Sequence, residues 1–245
     1  MPAVVGEHGH RRLSCGVGLL KTTFTVGVIT FPGSNCDADL RHAVDLTPSL
    51  SARAIWHKET ALGDVDAVLL PGGFSYGDYL RCGSIARFSP VMSDVLAFAK
   101  RGGPVLGICN GFQILTEAGL LPGALIQNKN QKFLCQDELI SVAERDTPFT
   151  CAVPKGPGVI TLPIAHMEGN FIADTETIKR LEGEGQVLFT YANGAPNGAV
   201  RDIAGVCNAS GNVVGLMPHP ERVVEGEVGG MDGRSFFASL VEWLL

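Results

Sequence analysis

Short runs of apolar, β-branched residues recur along the first half of the chain, and each run ends in a turn signal. These runs are residues 24–30, 52–57, 65–70 and 105–108. Uninterrupted apolar runs of this length are typical of strands buried on both faces of a parallel sheet. Segments with the apolar spacing of helices lie between them, at residues 36–46 and 89–101. This alternation predicts an α/β fold.

The residues before these two helices predict how each helix begins. Ser34 or Asn35 is a candidate N-cap for the first helix, because short polar side chains accept a bond from the first turn. Ser89 and Pro90 predict the start of the second helix, with Ser89 as the N-cap and Pro90 as the first helical residue.

The second half of the chain has a different pattern, with short strand candidates separated by polar and turn-rich segments. The strand candidates are residues 133–135, 138–143, 159–164 and 187–191, followed by a hairpin of residues 203–207 and 213–217. Helical periodicity returns at residues 174–181 and 235–244. We therefore expect a three-layer, open, mainly parallel sheet with helices on both faces, plus a small antiparallel β region. A single domain of residues 24–245 would follow a leader of residues 1–23.

Composition narrows the class of protein. The 245 residues are 45% hydrophobic and carry a formal net charge of −6, with no block of Lys or Arg. This charge argues against nucleic-acid binding. No apolar run approaches the roughly 20 residues that span a bilayer, so we expect a soluble, cytoplasmic protein. The seven cysteines include no CxxC pair, which favours reduced thiols over a disulfide framework or a zinc site.

One cysteine stands where a strand is predicted to turn into a helix. Cys109 follows the apolar run 105–108, has Gly107 and Gly111 as near neighbours, and precedes a helical segment from Phe112. Small neighbours permit a tight bend that exposes the side chain, and a helix N-terminus stabilises a thiolate. Cys109 is therefore a candidate nucleophile, although a free cysteine is also often a small buried hydrophobe.

Two other strand ends offer the groups that such a nucleophile needs. His219 and Glu221 follow the strand predicted at 213–217, and Pro220 between them stiffens an extended segment in which both side chains face the same way. A carboxylate on one ring nitrogen orients a histidine so that the other nitrogen can face a thiol. Pro71-Gly72-Gly73 follows the strand at 65–70 and taken alone is an ordinary turn, but its two glycines allow backbone N–H groups to point at one spot, as an oxyanion site requires. Sites in open α/β sheets lie beyond such strand ends.

A second His-x-Glu pair, His166 and Glu168, is locally as plausible as the pair at 219 and 221. The resemblance of residues 217–222 to a family's triad motif favours the pair at 219 and 221, so we assign His166 and Glu168 to the rim of a pocket or to an interface. His42 and His57 are expected to be structural.

Six motifs, together covering the chain from about residue 26 to its C-terminus, resemble one known family. The motifs are Phe31-Pro-Gly-Ser-Asn35, Pro71-Gly-Gly-Phe-Ser-Tyr-Gly-Asp78, Gly107-Ile-Cys-Asn-Gly-Phe-Gln113, Ile164-Ala-His-Met-Glu-Gly169, Pro196-Asn-Gly198 and Met217-Pro-His-Pro-Glu-Arg222. The chain resembles the class I, triad-type glutamine amidotransferases, whose fold is flavodoxin-like. Within them it is most similar to the glutaminase subunits of phosphoribosylformylglycinamidine synthases, which act in de novo purine biosynthesis.

The resemblance implies a catalytic role for each strand end. Cys109 would attack the side-chain amide carbon of glutamine and form a γ-glutamyl thioester. His219 would protonate the departing ammonia and then activate water, and Glu221 would orient His219. The backbone N–H groups of Gly73 and Asn110 would hold the oxyanion.

The resemblance also implies three residues of the glutamine pocket. Gln113 matches a family position that helps to bind the amino-acid end of the substrate. Asn128 and Phe133 match an Asn-x4-Phe segment that lies near the pocket. The sequence departs from the family pattern at Gln127, where a basic residue is common, and at Met167, where glycine is common.

The partners follow from the same resemblance. Ammonia would pass to a separate synthetase subunit, which uses ATP and Mg²⁺ to aminate formylglycinamide ribonucleotide, and a small accessory subunit would complete the complex. The chain has no Gly-x4-Gly-Lys-Ser/Thr motif, so we expect no cofactor and no metal of its own. Two alternatives stay open: a non-catalytic binding or regulatory protein on the same scaffold, and a cysteine hydrolase of another γ-glutamyl substrate.

Overall fold

The computed structural model describes residues 22–245, so the leader predicted at 1–23 lies outside the described residues except for its last two positions. Nine of the eleven strands within these described residues form one sheet in the order β2-β1-β3-β4-β11-β10-β9-β6-β7, and β5 pairs with β8 in a two-stranded antiparallel sheet. The strands are β1 Phe24–Thr30, β2 Leu50–Trp56, β3 Ala67–Leu70, β4 Val105–Ile108, β5 Ala124–Ile126, β6 Leu134–Val142, β7 Gly156–His166, β8 Asn170–Ile172, β9 Val187–Tyr191, β10 Ile203–Cys207 and β11 Val213–Leu216.

The predicted apolar runs form the parallel part of this sheet. Strands β2, β1, β3, β4 and β11 are parallel neighbours. Every residue of β3, β4 and β11 is buried, as expected for strands covered on both faces. The predicted fold class is therefore confirmed.

The antiparallel strands continue the same sheet instead of standing beside it. Strand β10 pairs with β11 as the predicted hairpin, and β9, β6 and β7 extend the sheet beyond β10. The two strands predicted at 133–135 and 138–143 are one strand, because Gln136 and Asp137 stay in register with β7 while their side chains are exposed. The short pair β5 and β8 was not predicted.

In the part of the chain that the structure describes, five α-helices connect or flank the strands: α1 Asp37–Asp45, α2 Met92–Lys100, α3 Asn110–Glu117, α4 Thr175–Gly183 and α5 Arg234–Leu244. The crossover from β1 to β2 and the crossover from β3 to β4 run in opposite directions across the sheet. Because such crossovers are right-handed, α1 and α2 lie on opposite faces. None of the helices among residues 22–245 has the length and apolar character to cross a bilayer.

The predicted caps of α1 and α2 are wrong. Helix α1 has no side-chain cap, and Oδ1 of Asn35 accepts a bond from the thiol of Cys36. Helix α2 begins at Met92 without a side-chain cap. The hydroxyl of Ser89 is instead bonded to Tyr76, with 3.0 Å between the two oxygens, and lies 3.2 Å from Nδ1 of His57. The side chain of Ser89 therefore forms tertiary hydrogen bonds, although the local sequence predicts that it caps the helix.

The sheet register brings three strand ends to one place. Leu70 of β3 is paired with Gly107 of β4, and Leu216 of β11 is paired with Ile108 of β4. The residues that follow these three ends are therefore neighbours at the carboxyl edge of the parallel strands, where open α/β sheets carry their sites.

Candidate active site

Cys109 occupies a strained turn between β4 and α3. Its φ of 50° and ψ of −106° lie in a region that L-residues rarely adopt. Strain of this kind costs about 1–3 kcal/mol and persists only where the surroundings enforce it. They do so here because Gly111 packs directly on the backbone carbonyl of Leu70, leaving no room for a Cβ. The first turn of helix α3 is therefore in direct contact with β3, and the Cys109 side chain projects from the turn into a cavity.

His219 and Glu221 meet beside this turn. Nδ1 of His219 lies 2.6 Å from Oε1 of Glu221, and both residues are buried. The backbone N–H of His219 donates to the carbonyl of Pro163, which anchors the segment to β7. The segment itself is not extended as predicted, because Pro220–Arg222 form a turn of 3-10 helix. The tighter turn still brings the carboxylate back to the imidazole.

The second ring nitrogen of His219 is available for chemistry. Nε2 is buried and has no hydrogen-bond partner among the described residues. Burial lowers the pKa of His219, but the Glu221 carboxylate and then the thiols of Cys109 and Cys36 raise it, and the net pKa lies well above the usual 6.5. The ring is therefore protonated at neutral pH and faces the cysteine side chains.

The predicted oxyanion donors, the N–H groups of Gly73 and Asn110, belong to the turns that follow β3 and β4. Neither the Gly73 N–H nor the Asn110 N–H has an acceptor among residues 22–245. The Asn110 side chain ties the loop after β3 to α3, because its Oδ1 accepts from the Ser75 N–H over 3.2 Å. Its Nδ2 donates to Oε1 of Gln113 on the same helix over 2.9 Å. This bridge fixes the loop after β3 relative to the turn at Cys109.

The cavity has a volume of about 370 Å³ and contains most of the predicted site residues. Its lining includes Gly73, Cys109, Gln113, Phe133 and His219. Phe133 is 58% exposed and stands at the mouth. Gln113 is buried deeper, and its Nε2 donates to the carbonyl of Glu168 over 2.6 Å.

Asn128 is the one predicted pocket residue that does not line the cavity. Its Nδ2 donates to the carbonyls of Lys132 and His166, and its Oδ1 accepts from the N–H of Gly169. Asn128 is buried, and these three bonds engage both polar atoms of its side chain. It therefore holds the loop after β7 in place, behind the cavity wall.

The second His-x-Glu pair, His166 and Glu168, does not form a hydrogen-bonded dyad. Both ring nitrogens of His166 are buried without a hydrogen-bond partner among the described residues. Burial, and then the charge on His219, lowers the pKa of His166 to about 4, so its ring is neutral. The Glu168 carboxylate instead accepts from the N–H of Cys82 over 3.5 Å. Both residues line the cavity, as the rim assignment predicts.

Two further lining residues, Cys36 and Arg222, were not predicted. Nη2 of Arg222 donates to Sγ of Cys36 over 3.0 Å, and both residues face the cavity. Each lies at a motif, since Cys36 follows Asn35 and Arg222 follows Glu221. Their position next to motif residues could have marked them as site residues. Their contact with each other could not be predicted, because it depends on the order of the strands in the sheet.

Comparison with known proteins identifies the class to which this fold and site belong. The family described as the CobB/CobQ-like glutamine amidotransferase domain matches residues 23–231. The crystal structure of a glutamine amidotransferase from Thermotoga maritima is similar in fold alone, with a TM-score of 0.56 and 16% identity over 90% of this chain and 97% of that chain. The chain belongs to the glutamine amidotransferases, which confirms the resemblance found in the sequence.

Closer relatives narrow the membership to one branch. Phosphoribosylformylglycinamidine synthase subunit PurQ of Synechococcus sp. (strain JA-2-3B'a(2-13)) is 55% identical over 215 residues, covering 88% of this chain and 95% of the relative. The same subunit of Salinibacter ruber is 55% identical over 223 residues, covering 88% of this chain and 94% of the relative. A chain of the PurLQS structure from Thermotoga maritima is 42% identical, with a TM-score of 0.83 over 91% of this chain and all of that one. The chain is thus a member of the PurQ branch.

Proposed function

We propose that this chain is the glutaminase subunit of a phosphoribosylformylglycinamidine synthase and that it works in the cytoplasm. It hydrolyses L-glutamine to glutamate and ammonia, and the ammonia passes to a separate synthetase subunit. The observation that carries the proposal is the short bond between buried His219 and Glu221, which leaves Nε2 of His219 free beside Cys109. A protein that only bound a ligand would not need this arrangement.

Formation of the thioester is the first half of the reaction. Cys109 attacks the amide carbon of glutamine as a thiolate, the nucleophilic form of a cysteine, with the imidazole of His219 beside it. The carbonyl oxygen becomes an oxyanion that accepts from the N–H groups of Gly73 and Asn110. His219 then gives its Nε2 proton to the amide nitrogen, the carbon–nitrogen bond breaks, and ammonia leaves.

Hydrolysis of the thioester is the second half. The now neutral His219 takes a proton from water, and the hydroxide attacks the γ-glutamyl carbonyl carbon. The carbon–sulfur bond breaks, glutamate leaves, and the imidazolium–thiolate pair is restored. Glu221 holds the ring in place through both halves and stabilises its charged form.

Substrate binding uses the deeper wall and the mouth of the cavity. Gln113 contacts the amino-acid end of glutamine, and Phe133 covers the mouth. Asn128 acts indirectly, since its bonds to the carbonyl of His166 and the N–H of Gly169 keep that wall of the cavity in position.

The partner is a synthetase subunit, as the name of the Thermotoga maritima complex suggests for its own chains. An apolar rim beside the cavity supports this pairing. The loop that follows lining residue Asp78 presents Tyr79 and Leu80, which are 74% and 93% exposed. Exposed apolar side chains grouped at a site mark contact surfaces. A small accessory subunit completes the complex, and the partner synthetase uses ATP and Mg²⁺ to aminate formylglycinamide ribonucleotide.

Glutamate formation by the chain, alone and with its synthetase, tests the proposal. We expect weak activity alone and strong stimulation in the complex loaded with ATP, Mg²⁺ and formylglycinamide ribonucleotide. The Cys109→Ser variant is the matched control, because it keeps the size of the side chain and removes the nucleophile. Equal glutamate formation by the wild-type and Cys109→Ser complexes would contradict the catalytic role of Cys109.

A further inference from the structure

The loop after β3, residues 71–78, carries the oxyanion donor Gly73 and has a strained backbone. We call it the oxyanion loop. Tyr76, Gly77 and Asp78 follow one another in it with positive φ, of 55°, 71° and 53°. Residues other than glycine seldom take this conformation, and it persists only where surrounding contacts enforce it. The direction of the Gly73 N–H therefore depends on what holds the loop.

Backbone contacts hold the three residues that follow Gly73. The N–H groups of residues 74–76 each donate to an acceptor outside the loop, and these acceptors are the carbonyl of Gly33, Oδ1 of Asn110 and the carbonyl of Pro32. Of residues 73–76, Gly73 alone has no acceptor for its N–H within the described part of the chain. Because its neighbours are held, the free N–H of Gly73 keeps one direction.

The side chain of Tyr76 provides a further anchor for the loop. Its hydroxyl oxygen lies 2.8 Å from Nδ1 of His57 and 3.0 Å from Oγ of Ser89. Nδ1 of His57 and Oγ of Ser89 are themselves 3.2 Å apart, so the three groups close a triangle of hydrogen bonds. The rings of Tyr76 and His57 also pack edge to face, with 5.5 Å between their centroids.

The two partners of the Tyr76 hydroxyl belong to well-held parts of the fold, and both are buried. His57 follows β2, and its N–H donates to the carbonyl of Thr30 at the end of β1. The carbonyl of His57 accepts from the N–H of Val91, next to the start of α2. Ser89 lies in the turn that leads into α2. The hydroxyl of Tyr76 thus ties the oxyanion loop to the sheet and to a helix.

We propose that Tyr76 is a positioning residue for the reaction, whose hydroxyl, held by His57 and Ser89, keeps the Gly73 N–H directed at the oxyanion. The inference rests on the proposed function, in which Gly73 is an oxyanion donor. None of Tyr76, His57 and Ser89 lines the cavity that holds Cys109. Loss of the hydroxyl therefore leaves the contacts of bound glutamine in place and weakens only the binding of the charged tetrahedral state.

Tyr76→Phe tests the proposal, because it keeps the packing of the ring and removes the hydroxyl. We expect kcat of the complex to fall by about ten- to hundredfold, somewhat less than complete loss of an oxyanion donor costs, while KM for glutamine stays the same. Rates are expressed per Cys109 that a chloroketone analogue of glutamine labels, so that unfolded chains do not count.

Tyr191→Phe is the matched control. It removes another buried hydroxyl, one that accepts a bond from Asn197 over 3.2 Å on β9. It should lose stability on heating but keep the wild-type kcat. An equal loss of kcat in Tyr76→Phe and Tyr191→Phe would show a general effect of the substitution and would overturn the proposal.

Ser89→Ala protects the test against misfolding of Tyr76→Phe, because it leaves Tyr76 in place and removes one partner of its hydroxyl. It should lower kcat by a smaller factor. The double variant should lose little more than Tyr76→Phe alone, since groups of one network do not act additively. Wild-type kcat in the folded Tyr76→Phe and Ser89→Ala variants overturns the positioning role, and so does a change confined to KM.

The aldehyde analogue of glutamine reports on the oxyanion without turnover. The thiolate of Cys109 adds to its carbonyl carbon, the carbon–oxygen double bond becomes single, and the oxygen takes the electron pair and the place of the oxyanion. Calorimetry with the complex should show that Tyr76→Phe weakens aldehyde binding by the factor lost in kcat/KM. Binding of the matching alcohol, which forms no adduct, should not change.

The aldehyde measurement also separates this proposal from the proposed function. Equal affinities of wild type and Tyr76→Phe for the aldehyde overturn the positioning role of Tyr76, whatever the rate of glutamate formation. Absence of glutamate formation by the wild-type complex contradicts the proposed function, and the aldehyde affinities then still decide whether Tyr76 positions the donor.

Discussion

Nδ1 of His219 and Oε1 of Glu221 are 2.6 Å apart in a part of the molecule that solvent does not reach. A short bond between buried groups fixes both the plane of the imidazole and its tautomer. Burial lowers the pKa of His219, and the carboxylate of Glu221 is the leading influence that raises it. The position and the charge of His219 therefore depend on the same partner.

Replacing Glu221 by glutamine should lower kcat for glutamine hydrolysis by about 10²–10⁴. The amide fills the same space but does not stabilise the imidazolium, and it permits the wrong tautomer. KM for glutamine should change little, because Glu221 does not line the cavity that holds Cys109. The alkaline limb of the kcat/KM profile should move to lower pH, since the pKa of His219 falls without the carboxylate. Steady-state glutamate formation in the complex, measured across pH, checks both expectations.

Glu227→Gln is the control for that variant, since Glu227 is an exposed carboxylate in the same stretch of chain. It should leave kcat and the pH profile as they are. An unchanged kcat in Glu221→Gln, with the control normal, would show that Glu221 has no catalytic role.

Replacing Gly73 by alanine should lower kcat by about 10²–10³, the cost of losing one oxyanion donor. Gly73 has φ of +139°, and a Cβ there would lie 2.8 Å from the carbonyl oxygen of Gly33 and 2.9 Å from the N–H nitrogen of Asn35. The loop must move to relieve these contacts, so the Gly73 N–H no longer points at the oxyanion. Glutamate formation by the assembled complex measures the loss.

Gly102→Ala separates this effect from general strain. Gly102 also has a positive φ, of +89°, but a Cβ there meets nothing within 4 Å. Both variants should lose some stability on heating, and Gly73→Ala alone should lose the catalytic rate. Similar kcat values for the two variants would argue against Gly73 as a donor.

His166 should make the stability of the chain depend on pH below neutrality. Its pKa is about 4 in the folded chain, because of burial and the charge on His219, against 6.5 when unfolded. The unfolded chain therefore binds the proton more readily between these values, and stability falls as pH drops from about 6.5 to about 4. The loss is on the order of 3 kcal/mol at the acid end. Urea unfolding at a series of pH values measures it.

The contribution of His166 is isolated by substitution. His166→Gln removes the titrating group, so the free energy of unfolding should vary less with pH in that window. Met167→Gln alters the neighbouring position without removing a titrating group and should keep the wild-type dependence. A pH dependence in His166→Gln as steep as in the wild type would assign the effect to other groups.

The parts of the fold that could be predicted from sequence are those set by local pattern. Runs that are mostly apolar identified β1, β3 and β4, because strands covered on both faces bury nearly all of their side chains. Turn residues after β3, β4 and β11 placed the site at their carboxyl ends. The fold class followed from the alternation of these strands with helices.

Features that depend on tertiary contacts could not be predicted in this way. Local sequence predicts a helix cap at Ser89, but this residue bonds to Tyr76 and His57 across a loop. Asn128 was expected near the pocket, but its three bonds go to backbone groups behind the wall. Cys36 carries no local signal of its contact with His219, because the two meet only when β1 and β11 take their places in the sheet.

Replacing Leu80 by aspartate should weaken the complex with the synthetase while leaving the glutaminase activity of the isolated chain unchanged. Leu80 is 93% exposed in the loop beside the cavity, so its side chain contributes little to the core. A charge buried against an apolar partner surface is costly, and we expect the dissociation constant of the complex to rise at least about tenfold. Analytical ultracentrifugation and the titration of glutaminase stimulation by the synthetase measure the change.

Leu245→Asp, at a residue 82% exposed at the C-terminus, introduces the same charge on a different surface and should leave the stimulation curve unaltered. If Leu80→Asp and Leu245→Asp gave the same curve as the wild type, the rim at Tyr79 and Leu80 would not be the contact surface.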